Sequence, residues 1–338
     1  MKLNRALITS ATALALTFGF AAETFAQDVT WNVSLWGKRR AFTEHIEKLA
    51  ELVDQKTDGG FKLNLSYGEA LSKSRENLDG ISIGAFEMAQ FCASYHADKN
   101  PTLTVLELPF LGVPDLETQV ALDKEIYSHP AVQKDLARWN AKLLMSSPMP
   151  QYNFVGKGDA PKSVSDFEGM RVRALGGVGK AMETIGAVPT TVTASETFQA
   201  IDSGTVRAAS FAPHAHLAFK TVEAGSWWTT NLNPGTVNCP VVINQDAYAA
   251  LPDNYKEALD SSVDEAIAHY LATYKKVYDK WYPTLDEMKI EQITFEQSEI
   301  DAFKEKAGKP LWDEWVKEMS AKGIPAQELL DMVQSKLN

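Results

Sequence analysis

Val29-Thr-Trp-Asn-Val-Ser-Leu-Trp36 alternates apolar and polar side chains with the period of two that marks a half-buried strand. The period then changes. Phe42, Ile46, Leu49 and Val53 fall on one face of a helix, Asp58-Gly-Gly60 stops it, and Phe61-Lys-Leu-Asn-Leu65 alternates again. Strand, helix, strand is the grammar of an α/β layer, and it sets the expectation for the whole chain.

Moving outward, a helix is expected over Ser74 to Ile81 and a strand over Ala85 to Phe91. Leu103 to Phe110 runs into Pro109-Phe-Leu-Gly-Val-Pro114, where proline and glycine favour a crossover or hinge. A charged helix from Leu116 to Trp139 and a strand from Lys142 to Met149 complete the first half. The second half repeats the alternation. Ser165-Asp-Phe-Glu-Gly169 is a short helix and turn, followed by a strand ending at Arg173 and a helix from Gly177 to Ile185. Val188 to Val192 is extended, Ala194 to Ile201 helical, and Thr205 to Phe211 a strand stopped by Ala212-Pro213. After a loop rich in Trp, Asn and Gly, Gln245 to Tyr282 reads as a long helix or a broken pair. Helical stretches from Gln297 to Lys317 and from Pro325 to Leu337 end the chain. Two similar α/β lobes facing a cleft are expected, with ligands at the C-terminal ends of strands.

Residues 1-26 read as a secretory leader: Lys2 and Arg5, an apolar run from Ala6 to Phe20, and Thr24-Phe-Ala26 before Gln27. That places the mature chain outside the cytoplasm. Its length of about 310 residues exceeds what one core usually fills, which again favours two lobes. Losing Lys2, Arg5 and Glu23 takes the formal charge from −11 to −12, which argues against nucleic acid and anionic lipid as partners. An anionic ligand would need a local positive site. Cys92 and Cys239 are the only cysteines, and two isolated cysteines are expected to be buried singly rather than paired.

That positive site is offered by Gly169-Met-Arg-Val-Arg-Ala-Leu175. An Arg fork fixed at a strand end takes a carboxylate bidentately. Gly176-Gly-Val-Gly-Lys180 fails the phosphate-loop spacing, although the amides of Gly177 and Val178 are placed to help hold a carboxylate oxygen. No Ser-His-Asp, Cys-His or paired-carboxylate constellation stands out, so the chain is read as a binding protein and not an enzyme. A secreted hydrolase using His214 or Asp166 is the rival from another class, and a structural envelope protein ranks below it.

The order Leu108-Pro-Phe-Leu111, Gly169-Met-Arg-Val-Arg173, Ile185-Gly-Ala-Val-Pro189, Ser195-Glu-Thr-Phe-Gln-Ala200 and Ser203-Gly-Thr-Val206 resembles the DctP-like solute-binding subunit of tripartite ATP-independent periplasmic (TRAP) transporters. The resemblance covers essentially the entire mature chain. It implies a two-lobed periplasmic binding protein fold with a central ligand cleft and a long bridging helix. Residues 27-150 would then form mainly lobe 1, 151-240 mainly lobe 2, and 241-338 the bridging and C-terminal helices. It also implies a periplasmic receptor that hands a small organic acid to the transporter's membrane subunits; no cofactor is expected, and a monomer is the expected state, with dimerisation left open. Arg173 takes the role of the Arg that pairs with the substrate carboxylate. Where members binding sialic acid or dicarboxylates often carry Val-Asp-Gly-Gln-Glu-Asn, this chain has Val206-Arg-Ala-Ala-Ser-Phe211, so Phe211 replaces a frequent ligand-contacting Asn.

Trp36, Phe91 and Phe211 lie at expected strand ends facing the cleft, and Tyr95, Trp227 and Trp228 are further aromatic candidates. Core packing is the ordinary fate of such rings. Arg207 either adds a second charge to the ligand or bridges to an acid, and Arg171 is expected on the same side as Arg173 in a structural role. His214 follows Phe211 closely enough to reach a ligand; His96 and His216 are weaker candidates. His214-Ala-His216 alone falls short of a zinc site. One Arg and several rings favour an aromatic monocarboxylate such as a benzoate, with C4-dicarboxylates and sugar acids as the alternatives.

Overall fold

The computed structural model describes residues 28–337, so the leader read over residues 1-26 lies outside the described residues. Among the described residues, eleven strands form two sheets: β1 (Val29–Leu35), β2 (Phe61–Ser66), β3 (Met88–Gln90), β4 (Ala141–Met145), β5 (Asn153–Gly156), β6 (Arg171–Arg173), β7 (Val188–Thr190), β8 (Ala208–Phe211), β9 (Trp227–Thr229), β10 (Val241–Asn244) and β11 (Glu291–Ile293). The first sheet has the order β2-β1-β3-β10-β4 and the second β11-β9-β5-β8-β6-β7. Each has a parallel trio, β2-β1-β3 and β7-β6-β8, flanked by one antiparallel strand.

That flanking strand comes from the other half of the chain. β5 leaves the first lobe to pair with β8, and β10 returns from the second lobe to pair with β3. The connections 146–152 and 230–240 therefore run between the lobes. A third connection is the helix Asp253–Tyr274, which packs on the helix Glu44–Lys56 of lobe 1. It continues through Lys275–Val277 into Tyr278–Glu287, where Trp281 packs in lobe 2 against His216 and Trp228. The resulting two-lobed α/β fold with a long bridging helix is the architecture that the family resemblance implies. Of the last helices, Gln297–Ala307 joins the core of lobe 2 through Phe303, while Lys309–Ala321 and Ala326–Leu337 return to lobe 1 through Trp315, Met319 and Leu329.

Some local expectations change. The charged helix breaks into Leu116–Ser128 and Pro130–Ala137, because Pro130 cannot donate within a helix and instead starts the second one, with His129 Nδ1 accepting from Ala131 N at 3.1 Å. Residues Pro101–Glu107, just before the expected crossover at Pro109–Pro114, form a tight 3-10 helix. Cys92 and Cys239 are not buried singly: they form a disulfide. The segments that carry them lie side by side, Phe91 N donating to Pro240 O and Ala93 N to Asn238 O, a proximity that a separation of 147 residues hides in the sequence.

Candidate functional site

The C-terminal ends of β1, β3, β6 and β8 converge between the lobes, where ligands of open α/β sheets collect. Trp36 follows β1, Cys92 and Tyr95 follow β3, Arg173 ends β6, and Phe211 ends β8 just before His214. All six residues line one interlobe cavity, joined by Met149 and Tyr152 from one crossover and by Val237 and Cys239 from the other. In this conformation it encloses about 20 Å³, the space of a water molecule. An organic acid therefore enters by opening of the lobes or by displacement of lining rings.

Arg173 is buried, with 1% of its surface exposed, and has no carboxylate partner among the described residues. Its Nε donates to Val192 O at 3.0 Å, Nη1 to Ser210 O at 3.0 Å and Nη2 to Tyr95 Oη at 3.2 Å. Its guanidinium lies 4.1 Å from the centre of the Phe211 ring. A guanidinium has five N–H donors, so one remains on each Nη, the pair that a carboxylate takes bidentately. Tyr95 Oη also accepts from Ala194 N at 3.0 Å, which leaves its own proton for a further acceptor. Because Tyr95 belongs to lobe 1 and Arg173 and Ala194 to lobe 2, these bonds join the lobes.

A second cation at the cavity went unread in the sequence. Arg40 follows β1 and stacks 4.8 Å from Trp36, 5.1 Å from Phe42 and 5.3 Å from Phe219. Nη1 donates to Lys38 O at 2.8 Å, whereas Nε is buried without a partner. Burial pushes its pKa down to about 10, which still leaves it charged at neutral pH. Gly37 makes the placement possible, since a Cβ there would overlap the Arg40 guanidinium. The available signal was position: Arg39-Arg40 stands a few residues past the end of β1, near the cleft side where Arg173 ends β6.

His214 stacks on Phe42 at 5.1 Å, and its Nδ1 shares a proton with Tyr274 Oη at 2.6 Å. Burial, helped by the Arg40 charge, holds its pKa well below the usual imidazole range, so it is neutral. Phe219 stacks on both Trp36 and Phe211, making a slab of rings along the cavity.

Several of the residues proposed from sequence lie elsewhere. Phe91 is in the lobe 1 core with Leu78 and Ile81, edge-on to His96, because the chain turns after β3 and sends Cys92 and Tyr95 to the cavity instead. Arg207 starts the opposite end of β8 from the cleft: it donates to Lys157 O and Asp159 O and lines an outer groove with Arg171. Gly177 and Val178 do not line the cavity either. Glu107 of lobe 1 covers that helix end, a Cβ on Gly177 overlapping its carbonyl and one on Gly176 reaching 2.5 Å from its Oε2. Trp227 is a core ring of lobe 2, His96 bonds Ser74 O, and His216 bonds Thr221 and Asn153 O. No group of three potential metal ligands occurs among the described residues.

A cleft between crossed-over α/β lobes, with an unpaired buried Arg at a strand end, is an arrangement suited to a two-lobed receptor for small organic carboxylates. The chain belongs to the bacterial extracellular solute-binding protein family 7, DctP, whose pattern matches residues 33–318. It is thus a periplasmic receptor subunit of a TRAP transporter and not an enzyme. It is 25% identical to the outer membrane transporter protein TsaT of Comamonas testosteroni, over 99% of this chain and 98% of that one. Among solved structures, a marine metagenome TRAP solute-binding protein in complex with 3-hydroxybenzoate aligns with a TM-score of 0.83 at 18% identity, covering 92% and 98% of the two chains. A TRAP solute-binding protein from Roseobacter denitrificans with bound β-D-glucuronate aligns at 0.78 and 17%, covering 90% and 99%. Likeness at this level gives the fold and leaves the acid open.

Proposed function

We propose that the acid is a compact, planar, largely apolar monocarboxylate of the benzoate kind, captured by Arg173 and delivered to the transporter's membrane subunits. The observation that carries this reading is Arg173 itself: buried, without a carboxylate partner and 4.1 Å over the Phe211 ring, in a lining that contains no Asp, Glu, Asn or Gln. Beyond the two arginines, only Tyr95, Tyr152 and His214 offer side-chain polar groups for oxygens on the body of the ligand. A polyhydroxylated acid would leave hydroxyls unpaired at about 1–3 kcal/mol each. A planar ring stacks on the slab formed by Trp36, Phe219 and Phe211.

Arg40 favours one second reading, a C4-dicarboxylate spanning both guanidiniums. Mass spectrometry of acid retained by the purified mature protein, followed by calorimetry with benzoate, pyruvate, succinate and glucuronate, decides between them. Gly37→Ala pushes the Arg40 head aside through the far end of a flexible side chain. It should weaken succinate about tenfold or more, and benzoate less, if the dicarboxylate reading holds. Tight binding of glucuronate alone would overturn both readings.

A further inference from the structure

Arg40 and His214 have a second face. Besides closing the cavity, both line an outer groove of about 580 Å³ where the chain after β1, the helix Pro213–Ala218 and the bridging helix meet. Its charged residues are Arg39, Arg40, Lys276 and Lys280 against Glu44, with His269 3.5 Å from Glu44. Arg39 is paired with Glu47. Lys276 and Lys280 are exposed and have no carboxylate partner among the described residues. The groove on the other side of the same helix is different, holding Asp115 and Glu117 against Lys275. A net positive groove on a chain of formal charge −11, sharing its wall with the interlobe cavity, calls for an explanation.

We propose that this groove is an anion vestibule: Lys276 and Lys280 hold a local positive potential that gathers organic anions from solution and presents them at the Arg40–His214 wall. The proposal rests on the reading of the cavity as a carboxylate site, and it assigns new roles to two lysines that touch neither the cavity nor Arg173. Charge lining a concave surface raises association rates by about 10- to 1000-fold, and salt screens it away. Dissociation is set by contacts inside the cavity and is left alone.

Stopped-flow tryptophan fluorescence tests this, using whichever of benzoate, pyruvate, succinate and glucuronate binds most tightly in calorimetry. Lys276→Glu/Lys280→Glu should lower kon about tenfold at low ionic strength, with the deficit vanishing near 0.5 M salt and koff unchanged. Lys275→Glu on the opposite groove should leave kon within about twofold. Equal kon for the double variant and the parent, or an equal loss in Lys275→Glu, overturns the vestibule. A ligand-independent measurement uses Thr273→Cys, whose side chain lines the groove. Its thiol should react with dianionic dithiobis(nitrobenzoate) faster, relative to neutral dithiodipyridine, than it does in the Lys276→Gln/Lys280→Gln background. An unchanged ratio overturns the vestibule even if none of the four acids binds, an outcome that would instead fault the ligand reading.

Discussion

Replacing Arg173 separates a ligand anchor from a structural strut, because the structure gives it three bonds within the protein, to Val192 O, Ser210 O and Tyr95 Oη, and leaves two donors free. Removing the guanidinium strips a donor from the buried Ser210 carbonyl, at about 1–3 kcal/mol in stability, and from the half-buried Val192 carbonyl, where water offsets part of the loss. It also leaves a bound carboxylate without its partner, at about 2–5 kcal/mol in binding, which is roughly 30- to 4000-fold in Kd. Arg173→Gln and Arg173→Lys should therefore be titrated calorimetrically against the acid recovered from the parent protein, with thermal melts run in parallel and titrations performed well below each Tm. Lys keeps the charge but not the fork, so it should recover part of the loss and stay at least about tenfold weaker than Arg. If both variants bind within about threefold of the parent while their Tm falls, Arg173 is a strut and the anchor assignment is refuted.

Tyr95→Phe should leave Arg173 Nη2 and Ala194 N without their acceptor and weaken binding about tenfold, read as a faster koff; an unchanged koff would mean that this contact does not hold the lobes together. Replacing both Cys92 and Cys239 by Ala should lower unfolding stability by about 2–4 kcal/mol in denaturant titrations, and identical midpoints would show that the bridge adds nothing. Stability should also fall as pH drops from about 6.5 to 4.5. Burial depresses His45 and His216 to about 3, His96 to about 4, and His214 well below its usual range, so the unfolded chain takes up protons that the fold refuses. Burial raises Glu107 and Asp123 to about 7, which works the other way, since their folded forms keep protons that the unfolded chain releases. Four histidines against two carboxyls leave a net uptake on unfolding of about two protons, each worth about 1.4 kcal/mol per pH unit. A Tm that stays flat or rises between pH 6.5 and 4.5 would contradict this balance.

What the sequence carried was what short-range period and strand ends encode. The alternation of Val29 to Trp36 and of Phe61 to Leu65 reads directly as β1 and β2, which pair in parallel register from Val29 with Phe61 to Ser34 with Ser66. Arg173, Trp36 and Phe211, expected at strand ends and in the case of Arg173 favoured by the family resemblance, line the interlobe cavity. The failures are of long range or of direction. Nothing in the residues around Cys92 tells that Asn238 to Pro240 returns beside them, because the return depends on β10 crossing back from the other lobe. Phe91 and Tyr95 are both aromatics after one strand, and only the turn between them decides which enters the core. Arg40 was missed because a charge pair next to a helix start reads as solvated surface, while its fold-back over Trp36, Phe42 and Phe219 depends on the absent side chain of Gly37.

The bonds around Tyr95 tie recognition to closure. Its hydroxyl is fixed by Arg173 and Ala194 of lobe 2 while its ring belongs to lobe 1, where it meets Trp36 edge-on at 6.0 Å. Opening the cleft breaks both bonds and leaves the Arg173 fork less constrained. A carboxylate that occupied the free donors of Arg173 would neutralise its buried charge at the lobe boundary, leaving Arg40 as the remaining cation of the cavity. On the proposed reading of Arg173 as the carboxylate anchor, ligand binding would stabilise closure through that same guanidinium, by an amount bounded by the differential affinity of the open and closed forms. A neutral analogue of the same shape, such as benzamide for benzoate, fills the ring slab without neutralising Arg173. It should therefore bind weakly and fail to bring about the closed state in small-angle scattering; closure with benzamide equal to that with benzoate would show that ring packing, not charge, drives the lobes together.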